Sequence, residues 1–375
     1  MKKNLLATTA LVAAGVLASQ GAFAESKPIS ISVGGYMEQW VGFSSYDGSG
    51  TPGAVGNTND VDVQQDAEIH FKGSTTLDNG LTFGVNVQLE AESDNASNPA
   101  NNSDTIDEAY MFIRGDFGEI VIGMENGAAY AMHYGFGDFG VGTGLNTGDL
   151  SNWFFAPGAY QLSGTYQGLR NNDNDSNKVR WISPRFSGFQ IGADYSPEAT
   201  QDDDGFPVEP NTNPEGVWSV AANYQNSFSG FDLGASAGYQ GISDGGTGMG
   251  SDPYNYGLGL YVGFSGFRLS ASWTHENDFG GTAGGGVEDR DVVGGGISYG
   301  SGPMKVGLDV AYGWQSYNAA AASDTEQLSV QLGGTYILGP GVEARGSVYY
   351  ADQSDGNGIR GNDADGFAVV GGIRL

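Results

Sequence analysis

The chain has 375 residues, with 44 acidic against 15 basic side chains and a net charge of −29. Phosphate backbones repel so negative a surface, which excludes a nucleic-acid partner. The chain has no cysteine, so structural disulfides, thiolate metal ligands and a cysteine nucleophile are excluded too.

The first element is MKKNLLATTALVAAGVLASQGAFA. Lys2 and Lys3, the apolar run Leu5 to Ala18 and the small-residue end Ala22-Phe23-Ala24 give the order of a secretory signal peptide, residues 1–24, with cleavage before Glu25. A membrane anchor needs about 17–25 apolar residues, more than this run supplies. Removing the leader takes two lysines and no acids, so the mature charge is −31. No later run is apolar for long enough to be a transmembrane helix. If the mature chain, 25–375, lives in a membrane, it does so as a closed barrel, because only helices and closed barrels satisfy their backbone in lipid.

Residues 61–93 read VDVQQDAEIHFKGSTTLDNGLTFGVNVQLEAES. Val61, Val63, Ala67, Ile69 and Phe71 alternate with Asp62, Gln64, Asp66, Glu68, His70 and Lys72. After Asp78-Asn79-Gly80, Leu81, Phe83, Val85, Val87 and Leu89 alternate with Asn86, Gln88, Glu90 and Glu92. A period of two puts successive side chains on opposite faces, which predicts a β-hairpin. The pattern continues, and strands are expected near 29–43, 61–77, 81–93, 104–115, 119–125, 177–186, 188–197, 216–228, 231–243, 252–264, 267–277, 288–299, 303–316, 324–337, 341–353 and 364–375. Glycine, 64 of the 375 residues against a usual ~7%, interleaves with Val, Tyr and Leu in these runs rather than marking disorder.

The connections alternate in length. DNG (78–80), GDFG (115–118), SG (187–188, 229–230 and 265–266), GSG (300–302) and GPG (339–341) are tight. Between them lie long polar stretches, the longest at 126–176. Such alternation gathers every tight turn at one end and every long loop at the other, the anatomy of an outer-membrane barrel. A Greek-key sandwich scatters loop lengths between both ends. The outward row Met304, Val306, Leu308, Val310, Tyr312, Trp314 suits lipid, and aromatics such as Phe189, Phe231, Phe264, Phe267, Trp273 and Tyr299 gather at strand ends, as girdles do. The expected fold is therefore all-β: a 16-stranded antiparallel transmembrane β-barrel.

GDFGEIVIGMEN (115–126), RWISPRFSGFQIGADYS (180–196) and the terminal strand GFAVVGGIRL, in that order, resemble the Gram-negative general porins, sixteen-stranded trimeric diffusion channels, and most closely their alphaproteobacterial branch. The resemblance covers 25–375. It implies a homotrimer in the Gram-negative outer membrane, in contact with lipid and lipopolysaccharide and inserted by the barrel-assembly machinery. It also implies passage of ions and small hydrophilic solutes, with no catalytic residue and no cofactor. The family usually ends in phenylalanine; Leu375 departs from that.

By the same resemblance, 126–176 is the third loop, folded into the lumen as a constriction. Its rings, among them Tyr130, Tyr134, Phe136 and Trp153, are too many for a disordered segment and call for a wall to pack on. A cap over the mouth is the alternative. Loop acids at the constriction are Glu125, Asp138 and Asp149. The inward wall carries Glu38, Asp66, Glu68, Glu90 and Asp107 against His70, Lys72, Arg114, Arg180 and Arg345, with Arg268 and Lys305 as further inward cations. Rings of carboxylates in a low-dielectric channel favour cations, so weak to moderate cation selectivity is expected. Any one of these acids also has the plainer reading of a side chain wetted by the lumen. Inward glycines and serines are expected to keep the lumen wide.

Other motifs are declined. GFGDFG (135–140) lacks a strand-to-helix context for a dinucleotide, and GISDG (241–245) is no nucleophile elbow. His70, His133 and His275 have no metalloprotease spacing. DNDSN (173–177) and QDDDGFPVEPN (201–211) offer oxygen ligands for a divalent cation such as calcium, though Lys178 stands where the calcium loop needs glycine. The rival functions are a sugar-preferring channel, a barrel hydrolase and a secreted soluble β-protein.

Overall fold

The computed structural model describes residues 29–48, 60–91, 106–136, 153, 174–199, 214–244, 253–277, 287–317, 324–355 and 364–375. The expected leader, Asp138, Asp149 and the acidic loop 201–211 lie outside these residues. Every strand belongs to one compact unit, Ile31–Leu375.

The sixteen strands are β1 (Ile31–Gly48), β2 (Val61–Thr76), β3 (Thr82–Glu90), β4 (Ala109–Gly115), β5 (Gly118–Met124), β6 (Asn177–Ile182), β7 (Phe189–Glu198) and β8 (Glu215–Phe228), then β9 (Phe231–Asp244), β10 (Tyr254–Phe264), β11 (Phe267–Asn277), β12 (Val287–Ser301), β13 (Met304–Tyr317), β14 (Thr325–Gly339), β15 (Val342–Asp355) and β16 (Ala364–Arg374). Each pairs antiparallel with its sequence neighbour, and β1 pairs with β16 to close the barrel. Closure leaves no sheet edge, as a spanning sheet requires. Among the described residues no helix is long and apolar enough to cross a membrane. A short helix, α1 (Ala128–Ala131), follows β5.

The predicted strands form, with three corrections. β6 stops at Ile182 rather than 186, because Pro184 has no N–H for the ladder; the Ser183 hydroxyl accepts instead from the Ile191 N–H at 3.0 Å, and pairing resumes only as an isolated bridge between Phe186 and Phe189. β4 begins at Ala109, later than expected, and β1 runs on to Gly48.

Burial is inverted relative to a soluble protein. The outward side chains of β13 and β14 are apolar and open, with Leu332 at 57% exposure, whereas Gln331 and Ser329 on the inner face are fully enclosed. Rings form two belts. At the tight-turn end Phe231 stacks on Phe264 at 4.5 Å and Phe267 meets Tyr299 at 4.6 Å. At the loop end Trp218 meets Tyr239 at 5.4 Å and Tyr256 meets Trp273 at 5.2 Å. Amphipathic rings at both rims of an apolar band match a bilayer's two interfaces.

The tight turns set the register. Ser187, Ser229 and Ser265 have φ of 49°, 52° and 50°, each followed by a glycine at 90°, 82° and 86°. Two successive positive φ values make the type I′ hairpin turn, whose twist matches the flanking strands.

Candidate functional site

The connection after β5 turns inward at once. Its root is held by charge. Arg180 on β6, 6% exposed, forms an ion pair with Glu125, lies 3.6 Å from Glu119 and donates to the Asn126 carbonyl at 2.8 Å. Lys178, two residues earlier, donates to the Ser176 carbonyl at 2.9 Å and to the Glu125 carbonyl. Its ammonium thus occupies the Ser176 carbonyl, one of the oxygens of the acidic segment before β6.

Beyond the root, the backbone is bound by side chains of the inner wall. The Ala128 N–H donates to Asp194 of β7 at 2.5 Å and the Ala129 N–H to Ser219 of β8 at 2.9 Å. Asn223 of β8 donates to the Met132 carbonyl at 3.2 Å, and Ser236 of β9 accepts from the Tyr134 N–H at 2.8 Å. Asp194 faces Ser219, and Asn223 faces Ser236, in register. The wall therefore offers a ladder of polar groups to the N–H and C=O groups of an irregular segment, which need partners when buried.

Glycines complete the docking surface. Met132 lies over Gly192 of β7, the Tyr134 carbonyl over Gly259 of β10, the Phe136 ring over Gly294 of β12 and the Trp153 ring over Gly42 of β1, each where a Cβ would collide. These four inward glycines are seats on which the loop rests. Phe136 and Trp153 join Trp40, Ala311, Tyr349, Ala368 and Val370 in one apolar cluster inside the barrel. The described part of the loop thus lies within the barrel and not over its mouth.

The predicted wall residues fall into two groups. On β2 to β4, Tyr36 of β1 donates to Asp66 at 3.0 Å and to Glu68 at 2.8 Å, and His70 lies 2.5 Å from Glu68. Glu68, Glu90 and Asp107 bring one carboxylate oxygen each to within 4.8 Å of one another. Lys72 is exposed. Arg114 lies 2.5 Å from Glu119 and 4.0 Å above the Phe112 ring. Near the closure strands, Glu38, 3% exposed, pairs with Arg345 at 3.2 Å and with Arg374; Arg345 also reaches Glu343 at 2.8 Å.

Sequence reasoning passed over Arg374, although its parity, opposite to that of the outward Ile373 and Val369, placed it inward. It also passed over Asp194, Ser219 and Ser236, and over Glu108, which accepts from Gln88 and from Asn126 at 2.9 Å.

A closed barrel that is greasy outside and polar inside, with a loop seated on its own inner wall, defines an outer-membrane diffusion channel. The family model for Gram-negative porins matches residues 7–356, and the chain belongs to that family. Among solved structures it is similar to an anion-selective porin from Comamonas acidovorans, with a TM-score of 0.61 and 18% identity over 92% of this chain and 99% of that one. It is also similar to the trimer form of OmpT from Vibrio cholerae, with a TM-score of 0.55 and 14% identity over 92% and 100%. A mutant of Rh. blastica porin gives 0.51 and 17% over 92% and 99%. At these identities the likeness shows the fold. No curated protein matches the chain.

Proposed function

We propose that this porin passes ions and small hydrophilic solutes without chemistry, with a weak to moderate preference for cations, as a homotrimer exported by the leader 1–24. The grouping of Glu68, Glu90 and Asp107 within 4.8 Å supports the preference most. Asp66 stands beside that trio, and β2 to β4 answer with only His70, Lys72 and Arg114 as basic side chains. Field lines concentrate between low-dielectric walls, so a one-sided acid patch raises the local cation concentration. The trimer form of the Vibrio cholerae neighbour supports the assembly. The similarity to an anion-selective porin bears on fold and leaves the sign of selectivity to this chain's own lining.

The test is the reversal potential of bilayers holding the purified protein under a potassium chloride gradient. A cation-preferring sign is expected, shifting toward zero in the Glu68→Gln, Glu90→Gln, Asp107→Asn triple variant. An anion-preferring sign in the unmodified protein overturns the selectivity, and electrically silent bilayers overturn the channel.

A further inference from the structure

At the tight-turn end of the lumen, away from the acid patch and the loop root, lies a cavity of about 400 Å³ bordered by Asp232, Gly263, Arg268, Ser298, Gly300 and Lys305. Parity sends Arg268 and Lys305 inward, since their neighbours Phe267, Leu269, Met304 and Val306 are exposed on the lipid side. The two cations stand on β11 and β13 with β12 between them, so their backbones are about 10 Å apart across two strand spacings. Between them β12 offers only the Ser298 hydroxyl and Gly300. Ser298 faces Arg268, and Gly300 faces Lys305. A Cβ on Gly300 would meet nothing nearer than a carbonyl at 4.0 Å, so the floor is open.

Arg268 lies 4.4 Å over the Tyr261 ring, which fixes the plane of a guanidinium fork that matches paired anionic oxygens. Asp232 borders the same cavity and accepts from Ser227 at 2.5 Å, and Glu343 accepts from Arg345 at 2.8 Å. We infer that this cavity is a docking site for a small dianion, a dicarboxylate or a phosphate monoester, its two charged ends held by Arg268 and Lys305 over the Ser298–Gly300 floor. A pocket of this volume is within the usual range for small ligands. The inference rests on the reading of the lumen as an aqueous path and adds a dianion-retaining inner mouth to a channel whose acid patch lies on the opposite arc of the wall.

The experiment is single-channel current in potassium chloride with sodium succinate, inorganic phosphate or, as the monoanion control, sodium acetate added to each side in turn at constant ionic strength. Succinate and phosphate are expected to reduce the current in a saturable manner, more strongly from the tight-turn side, whereas acetate does not. The Arg268→Gln, Lys305→Gln double variant is expected to weaken this block at least tenfold while acetate remains without a saturable block. A block by succinate alone assigns dicarboxylates, and by phosphate alone phosphate esters. Equal effects of all three anions, or an unchanged block in the double variant, overturn the site. Calorimetric titration of detergent-solubilised protein with succinate reads the site independently of conductance, so a failure to conduct and a failure to bind are told apart.

Discussion

Phe136 and Gly294 form an apolar contact between the inturned loop and the wall: the ring is fully buried and rests on a position where a Cβ would overlap it. The pairing is reciprocal, since either a lost ring or an added side chain removes it. Deleting a buried phenylalanine ring costs about 3–5 kcal/mol where the surroundings cannot collapse. Phe136→Ala is therefore expected to loosen the loop, seen as noisier single-channel current and as liposome swelling by larger sugars. Gly294→Leu should reproduce both effects by filling the seat. Both variants should keep the heat-modifiable mobility of a closed barrel, because no ladder bond is touched. An unchanged size limit in both would mean that the narrowing is set elsewhere.

Glu108, one residue before β4 and 8% exposed, is pushed up from 4.5 to about 8, first by burial and then by the charges of Glu125, Asp107 and Asp175. The folded chain therefore binds a proton that the unfolded chain releases near 4.5. Between these values the native state holds the more protons, so this group's contribution to stability is complete below about 4.5 and is lost as pH rises through about 8. The same deprotonation adds a negative charge beside the loop root. Cation preference is expected to increase from about pH 6 to about pH 9 while thermal stability declines, and Glu108→Gln should flatten both curves. Reversal potentials and melting curves of the two proteins across that range decide it.

How much of this could be seen in the sequence depended on the range of each interaction. The faces of β2, β9 and β13 were legible because strand parity is local, and the tight turns because Ser-Gly pairs tolerate positive φ. The end of β6 was also written locally, in Pro184, but an alternating run on both sides obscured it. The seats were not legible. Gly42, Gly259 and Gly294 differ from other inward glycines only by what lies over them, and Ser219 finds its loop partner Ala129 across 90 residues. Glu108 escaped notice because alternation in the expected strand 104–115 put it on the face opposite Asp107, whereas β4 begins only at Ala109. The acid trio was anticipated residue by residue, yet its convergence needed the register that sets Glu68 against Glu90 and the fold that brings Asp107 beside them.

The inverted burial itself makes a quantitative claim about depth. Leu308 sits mid-strand on the outer face of β13, between Ile297 and Leu332 on the adjoining strands, and is 41% exposed; Met304, on the same face at the tight-turn end, is 43% exposed. In water two such similar positions would tolerate arginine alike. In a bilayer the cost depends on depth, about 2–4 kcal/mol at the midplane and about 0–1 kcal/mol near the interface. Leu308→Arg is expected to lower the free energy of folding into vesicles by that larger amount, and Met304→Arg by little, measured by reversible urea titration of tryptophan fluorescence. Equal losses at both positions would show that the outer face of β13 meets no hydrocarbon.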